Sequence, residues 1–254
     1  MKFAVCLKRI PAPDGNIRLS TDGCAFDLAL VEQVTNPPDE HALEAALRLR
    51  AQRASSRLLA LSVGAREHET MLRAAMAVGA DEACLVEAPG VDCGQASVLA
   101  AAALRDFAPD LVFCGNRAVD DGLGFFPAAL AEALGLAHIA GVCAVELNAD
   151  GRHAICRRRM GGGEQRVEVD VPAVIACDRM AHELRTPLLK ARLESKKRPL
   201  TVLRPEMPGG VPAFRSRRLL EPPERKPKRI LTAGPGWTAD EFLAELRDVE
   251  GLGR

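Results

Sequence analysis

Short apolar runs alternate with amphipathic stretches over the first 136 residues, and that alternation sets the fold class. The run "KFAVCLKRI" (2–10), rich in strand formers and ended by Pro11 and Pro13, predicts a buried first strand. In "TNPPDEHALEAALRLRAQ", Leu43 and Leu47 recur at helical spacing behind Asn36 as a candidate N-cap. Pro37 suits the first turn of that helix, and Asp39 and Glu40 stand where its dipole favours negative charge. Residues 57–64 then read as the second strand and 66–80 as the second helix, with Gly79 as its C-cap. The third pair covers 82–88 and 95–107, and the fourth covers 110–116 and 127–135, closed by Gly135. Strands alternating with helices of this length imply right-handed βαβ units. The expectation is an α/β fold, a mainly parallel twisted sheet with helices on both faces.

The pattern changes after residue 136. "AHIAGVCAVELN", "RHAICRRRM" and "EQRVEVDVPAVIACD" carry alternating or β-branched runs, with the turn "NADG" between the first two. They predict added strands, at least two of them an antiparallel hairpin. The glycine-rich "MGGGEQ" between two such strands reads as a tight turn. From residue 184 the hydrophobic period is lost in "KKRP", "RPEMPGGVPAF" and "EPPERKPKR". The chain therefore divides into an α/β domain at 1–183 and an extended C-terminal arm at 184–254. The arm ends in "TADEFLAELRDVEG", a short helix that Thr238 can cap, with Asp240 and Glu241 in its first turn and Phe242 and Leu246 on one stripe. Such an arm either packs on its own domain or wraps a partner.

Composition narrows the function classes. At 254 residues and 48% hydrophobic content the chain can bury a real core. Lys and Arg number 34, as do Asp and Glu, so no global basic field exists to bind nucleic acid. Eight cysteines are scattered without a Cys-x-x-Cys pair, most of them in apolar runs, and read as reduced, buried thiols. Together with an N-terminus that runs directly into a strand pattern, they predict a cytoplasmic location. No apolar run approaches the roughly 20 residues that span a bilayer, so membrane insertion is not expected.

In an open α/β sheet, ligands bind outside the carboxyl ends of the strands, where strand order reverses. The segments there are "KRIPAPDG", "NPPDE", "SVGA" and "GNRAVDDGLGFF". Neither the Rossmann G-x-G-x-x-G nor the Walker pattern occurs, and there is no G-x-S-x-G elbow or H-E-x-x-H. His41 and His68 fall in helices, where an ordinary structural role is favoured, and His182 is uninformative. Asp120 and Asp121 are paired carboxylates for which loop solvation or capping is the plain alternative. The residues describe a nucleotide-binding-like domain without catalytic apparatus of its own.

Several separated motifs, taken in order, resemble the β subunit of electron transfer flavoproteins, including its FixA-like members. They are "VCLKRIP", "NPPDEHALEAALRLR", "ETMLRAAMAVGADEACLVE", "LVFCGNRAVDD", "GGGEQRVEVDVPAVIACD" and "LEPPERK", which together cover nearly the whole chain. The resemblance implies an adenine-nucleotide α-hydrolase-like fold and a heterodimer with an α subunit that holds most of an FAD. It also implies electron flow from a flavoprotein dehydrogenase to an acceptor such as a quinone oxidoreductase. The β subunit's own site holds AMP in most members and a second FAD in electron-bifurcating ones.

Matched by position, Cys6 would face the adenine, with Asn36, Pro37, Pro38 and Asp39 beside the nucleotide and Val63 at the end of the second strand. Asn36 would offer an amide, and uncovered N–H groups at that helix start could serve a ligand acceptor. Gly115, Ala118, Asp120 and Asp121 keep the family's phosphate loop. Gly124, Phe125 and Phe126 replace its polar residues, leaving phosphate contacts to main-chain N–H groups. In the family's docking loop Arg185, Leu189, Lys196, Lys197 and Arg198 are kept, the Tyr is Thr186, and the Pro-Asn-Ile-Met core is lost. Leu189, with Leu188 beside it, is the expected anchor in a partner dehydrogenase; burial within a helix is the alternative. Two other readings of the fold are a stand-alone, universal-stress-like nucleotide binder and an ATP-using ligase. The ligase's Ser-Gly-Gly-x-Asp-Ser loop is missing.

Overall fold

The computed structural model describes residues 1–12, 19, 31–178, 182–211, 213 and 238–247. Lys2–Cys6 (β1), Arg57–Gly64 (β4), Glu82–Glu87 (β5) and Leu111–Gly115 (β6) are the four expected parallel strands. The first predicted strand is split, because the chain turns at Leu7 and Lys8 and its remainder, Arg9–Pro11 (β2), pairs antiparallel with Gln33–Thr35 (β3). The helices are Pro37–Ala51 (α1), Glu69–Val78 (α2), Cys93–Arg105 (α3) and Phe126–Leu134 (α4). Helix α3 begins two residues before its periodicity suggests. Asp92 caps it by accepting from Gln95 N at 2.9 Å, and Gln95 returns a bond to Asp92 N.

Ala137–Leu147 (β7), His153–Met160 (β8), Gly163–Asp170 (β9), Ala173–Cys177 (β10) and Thr201–Leu203 (β11) complete the strands among the described residues. One sheet carries them in the order β11-β5-β4-β1-β6-β10-β7-β8-β9. Only the β7-β8-β9 end is antiparallel. The stretch "EQRVEVDVPAVIACD", read as one strand, is two. Its second half is buried at every position and runs parallel between β6 and β7. A strand buried on both faces loses alternation, which is how β10 reads once separated from β9.

Two apolar clusters sandwich this sheet. Phe3, Val5, Leu58, Ala60 and Phe113 face α1 and α2, whereas Ala4, Cys6, Leu61, Val112 and Cys114 face α3 and α4. Five of the described cysteines are buried and all seven are free thiols. The compact unit runs from Met1 to Leu219, past the boundary expected at 183, because Leu189–Ser195 (α5) packs on α2 and β11 extends the sheet beside β5. Residues 220–254 form a separate unit. Its described part is the helix Ala239–Arg247 (α6), where Thr238 and Glu241 make a reciprocal cap. "LEPPERK" lies outside the described residues. Among the described residues, no helix is long and apolar enough to cross a membrane.

Candidate functional site

From β1 the chain moves outward through β4 to β5, then returns to the other side of β1 as β6. Strand order reverses there, and in such sheets the crevice outside the carboxyl ends of the strands at the switch point is the usual ligand position. The start of α1 is bonded to the ends of both β1 and β6. The Asp39 carboxylate, 5% exposed, accepts from Lys8 N at 2.7 Å, Gly115 N at 2.8 Å and Asn36 Nδ2 at 3.0 Å. Burial pushes its pKa up to about 7, against the opposing pull of those hydrogen bonds and of the Lys8 charge.

Asn36 occupies the N-cap position without capping. Its side chain reaches the next loop instead, donating to Asp39 Oδ1 and to Arg117 O at 3.2 Å and accepting from Val119 N at 3.1 Å. With 1% exposure and both amide atoms engaged, it presents no open face to a ligand. The expected free N–H groups at the start of α1 are also absent. Pro37 and Pro38 have none, and the N–H groups of Asp39 and Glu40 both close onto Asn36 O. Two proline residues and one carbonyl thus remove the anion-binding character that a helix start usually has.

The loop after β6 is pinned at each end of its first half. Asn116 accepts from Gly141 N at 3.0 Å, tying the loop to β7. Lys8 Nζ lies between Asp120 (2.8 Å) and Asp121 (2.9 Å). Burial works to lower the Lys8 pKa, but the two carboxylates outweigh it and raise it above the usual lysine value. Asp121 also accepts from Leu123 N, and Gly122 N donates to Ala118 O, so with Asp121 N on Asp120 the N–H groups of residues 121–123 are satisfied within the loop. The N–H groups of Gly124 and Phe126 are not used in this way. Phe126 packs into the core under α4, while Phe125 is 43% exposed on the loop beside Val119 and Leu123. Val63 packs at the end of β4, and Cys6 is buried, its thiol pushed up by burial and then by the Asp39 charge.

Gly115 explains why the loop can lie this close. A Cβ there would stand 2.3 Å from Asp39 Oδ1 and 2.8 Å from Pro38 Cβ. Nearby, Ser62 Oγ donates to Leu7 O, which leaves His68 Nδ1 as the donor in their 2.8 Å contact. His68 is accordingly neutral, its pKa lowered to about 4 by burial and then by the charge of Arg9.

A second cluster of functional candidates lies on α5. Leu188 and Leu189 are 78% and 73% exposed, and Leu193, one turn on, is exposed too. The polypeptide that carries them is braced from behind. Arg185 makes a bidentate pair with the buried Glu44 of α1 (2.8 and 2.9 Å), and its backbone N–H also donates to that carboxylate. Arg73 of α2 donates to the carbonyls of Ser195, Lys196 and Arg198, capping the end of α5. Arg198 reaches back to the carbonyls of Met76, Ala80 and Asp81. Lys196 and Lys197 are exposed at the end of this helix.

The family model for the electron transfer flavoprotein domain matches residues 27–206. An electron transfer flavoprotein subunit beta from Syntrophomonas wolfei is 33% identical over 201 residues, 79% of this chain and 78% of the relative. The chain belongs to the electron transfer flavoprotein β-subunit family.

The Bacillus subtilis subunit beta is 28% identical over 97% of this chain and 98% of its own length. The acryloyl-CoA reductase electron transfer subunit gamma of Anaerotignum propionicum is 29% identical over 80% of this chain and 77% of its own. An electron transfer role follows from membership, as does a flavoprotein context. Within this β-subunit fold, Asn36, Pro38, Asp39 and Gly115 meet at the switch point, with Cys6 buried beside Asp39. Lys8 and Asn116 join them from the segments "KRIPAPDG" and "GNRAVDDGLGFF", although neither residue carries a signal of its own within its segment. Arg73 and Glu44, which fix the docking segment, carry no sequence signal beyond being charged residues on amphipathic helices.

Proposed function

We propose that this chain is the β half of an α/β heterodimer that carries electrons from a flavoprotein dehydrogenase to an acceptor such as a quinone oxidoreductase. FAD is held mainly by the α subunit, with this chain as one wall, and the electrons travel on that flavin. The chain contributes placement and docking, with no catalytic residue of its own, in the cytoplasm. The observation that carries the reading is the braced helix α5. Two adjacent leucines stand in solvent on a segment anchored by Arg73, Arg185 and Arg198, an arrangement that suits insertion of a rigid apolar anchor into a partner.

The crevice fits an adenine nucleotide by position. AMP would lie against Cys6, Val63 and the Pro37–Pro38 start of α1, its phosphate on the N–H groups of Gly124 and Phe126, because Phe125 and Phe126 have no side-chain donor. A second FAD in this site, as in bifurcating relatives of the family, would need polar neighbours that this loop lacks.

Co-expression with the family α subunit tests the reading. A stable complex carrying one flavin, with AMP in the acid extract, is the expected result. A stable complex without flavin would refute the electron-carrier assignment, two flavins would identify the bifurcating variant, and a homodimer binding ATP would identify the stand-alone nucleotide binder.

A further inference from the structure

We propose that Asp39 is a positioning residue that holds the loop after β6 in its nucleotide-ready pose without itself contacting the nucleotide. Its carboxylate meets three segments at once: the chain leaving β1 through Lys8 N, the start of α1 through Asn36, and the end of β6 through Gly115 N. All three donors approach from inside the protein. Asn36 extends the clamp by gripping Arg117 O and Val119 N, and Gly115 exists as glycine to admit the carboxylate. The consequence for nucleotide affinity rests on the crevice being the nucleotide site. The consequence for the loop does not.

An ionised carboxylate accepts all three bonds. A protonated one would point its hydrogen at a donor and accept more weakly, so the clamp loosens on protonation. The charged and titratable groups facing Asp39 are Lys8 from the end of β1 and the thiols of Cys6, Cys114 and Cys177 from the strands. Burial pushes those thiols up, and Asp120 with Asp121 keeps Lys8 charged, so none of them changes state between pH 6 and pH 8. Asp39, buried to a value of about 7, is the group that does.

Amide hydrogen exchange on the full chain, corrected for the intrinsic pH dependence of exchange, tests the clamp. Between pH 8 and pH 6 the protection of Gly115 and Val119 is expected to fall by about tenfold, while amides of β5 hold theirs. In Asp39→Asn, the same two amides lose protection at every pH and the pH dependence disappears. The variant is also expected to bind AMP about tenfold more weakly by calorimetry. Unchanged Gly115 protection in Asp39→Asn, or unchanged AMP affinity where the wild type binds AMP, would overturn the proposal. Should the variant not fold, the wild-type pH series alone decides, and a flat series refutes the clamp. If the wild type binds no AMP, the nucleotide reading of the crevice fails, and exchange still settles what Asp39 does to the loop.

Discussion

Replacing Gly115 by alanine separates two reasons for a glycine in this loop, close approach to a ligand and close approach to α1. The added Cβ would fall 2.3 Å from Asp39 Oδ1, 2.8 Å from Pro38 Cβ and 3.0 Å from Asp39 N. The nearest is a carboxylate oxygen held in place by the bonds of Asp39, and the other two belong to a helix start, so none of the three gives way easily. Overpacking of this kind costs about 1–3 kcal/mol. Losing the Gly115 N bond to a buried carboxylate adds about 1.5–3 kcal/mol. Together they give about 2.5–6 kcal/mol, or a fall of roughly 5–20 °C in Tm for a chain of this size. The assay is thermal unfolding of the chain without nucleotide, with Gly163→Ala as control. A Cβ at Gly163 meets only Met160 O at 3.9 Å and is expected to be near neutral. The penalty should also shrink when Asp39 is first shortened to alanine, because the nearest clash is then gone, and a double-mutant cycle reads that coupling. If Gly115→Ala melts with the parent but weakens nucleotide binding, the packing argument is wrong and the glycine serves the ligand.

Leu189→Ala, alone and with Leu188→Ala, is expected to slow electron transfer from the partner dehydrogenase at least tenfold with Tm unchanged, measured by stopped-flow reduction of the heterodimer. Arg185→Ala leaves the buried Glu44 carboxylate with Arg48 alone. It should cost about 1–2 kcal/mol once the exposure of the guanidinium is discounted, and should raise hydrogen exchange across 185–195. Burial works to raise the Glu44 pKa, but Arg185 outweighs it and holds the value below the usual glutamate range. Stability from this pair is therefore present above that range and lost as pH falls through the lowered value, which unfolding curves of wild type and Arg185→Ala below pH 5 will show. Asp39 has the opposite sign. Its folded value lies above its unfolded one, so its contribution to global stability declines as pH rises from about 4 to about 7, and the difference in Tm between wild type and Asp39→Asn should follow that window. Asp92→Ala removes a two-way cap and should cost about 1 kcal/mol in chemical unfolding.

Much of the architecture was legible because period and punctuation agree in the first 136 residues. Gly79 and Gly135 end their helices as their positions suggest, and residues 57–64 form a strand with the expected bounds. Where the reading fell short, the missing information was long-range. Helix α5 turns Leu189 and Leu193 outward, so its apolar period does not report a core, and its attachment runs through Arg73, Arg185 and Arg198 in bonds between residues far apart in sequence. Strand β10 was hidden because β9 alternates up to Asp170 and β10 does not, and a joined run conceals the change of role at Pro172. Asn36 has the composition and place of a cap, yet its partners are residues 117 and 119. No local signal distinguishes a side chain that bonds its own helix from one that bonds a loop some 80 residues on.

The same residue types that suggest ligand contact are those a crevice needs to satisfy itself. Buried polar groups left without partners cost about 1–3 kcal/mol each, so a switch point lined by Asn36, Asp39 and Asn116 is stable only if their donors and acceptors find one another. Here they do, and Lys8 is likewise matched by Asp120 and Asp121. A nucleotide entering this crevice therefore finds these side chains already committed to one another. Its affinity has to come from other groups, among them the main-chain donors at the start of α4. Such a site responds to substitutions in proportion to how they move the loop, so the strongest effects on binding should come from Asp39 and Gly115, whose bonds run between protein segments.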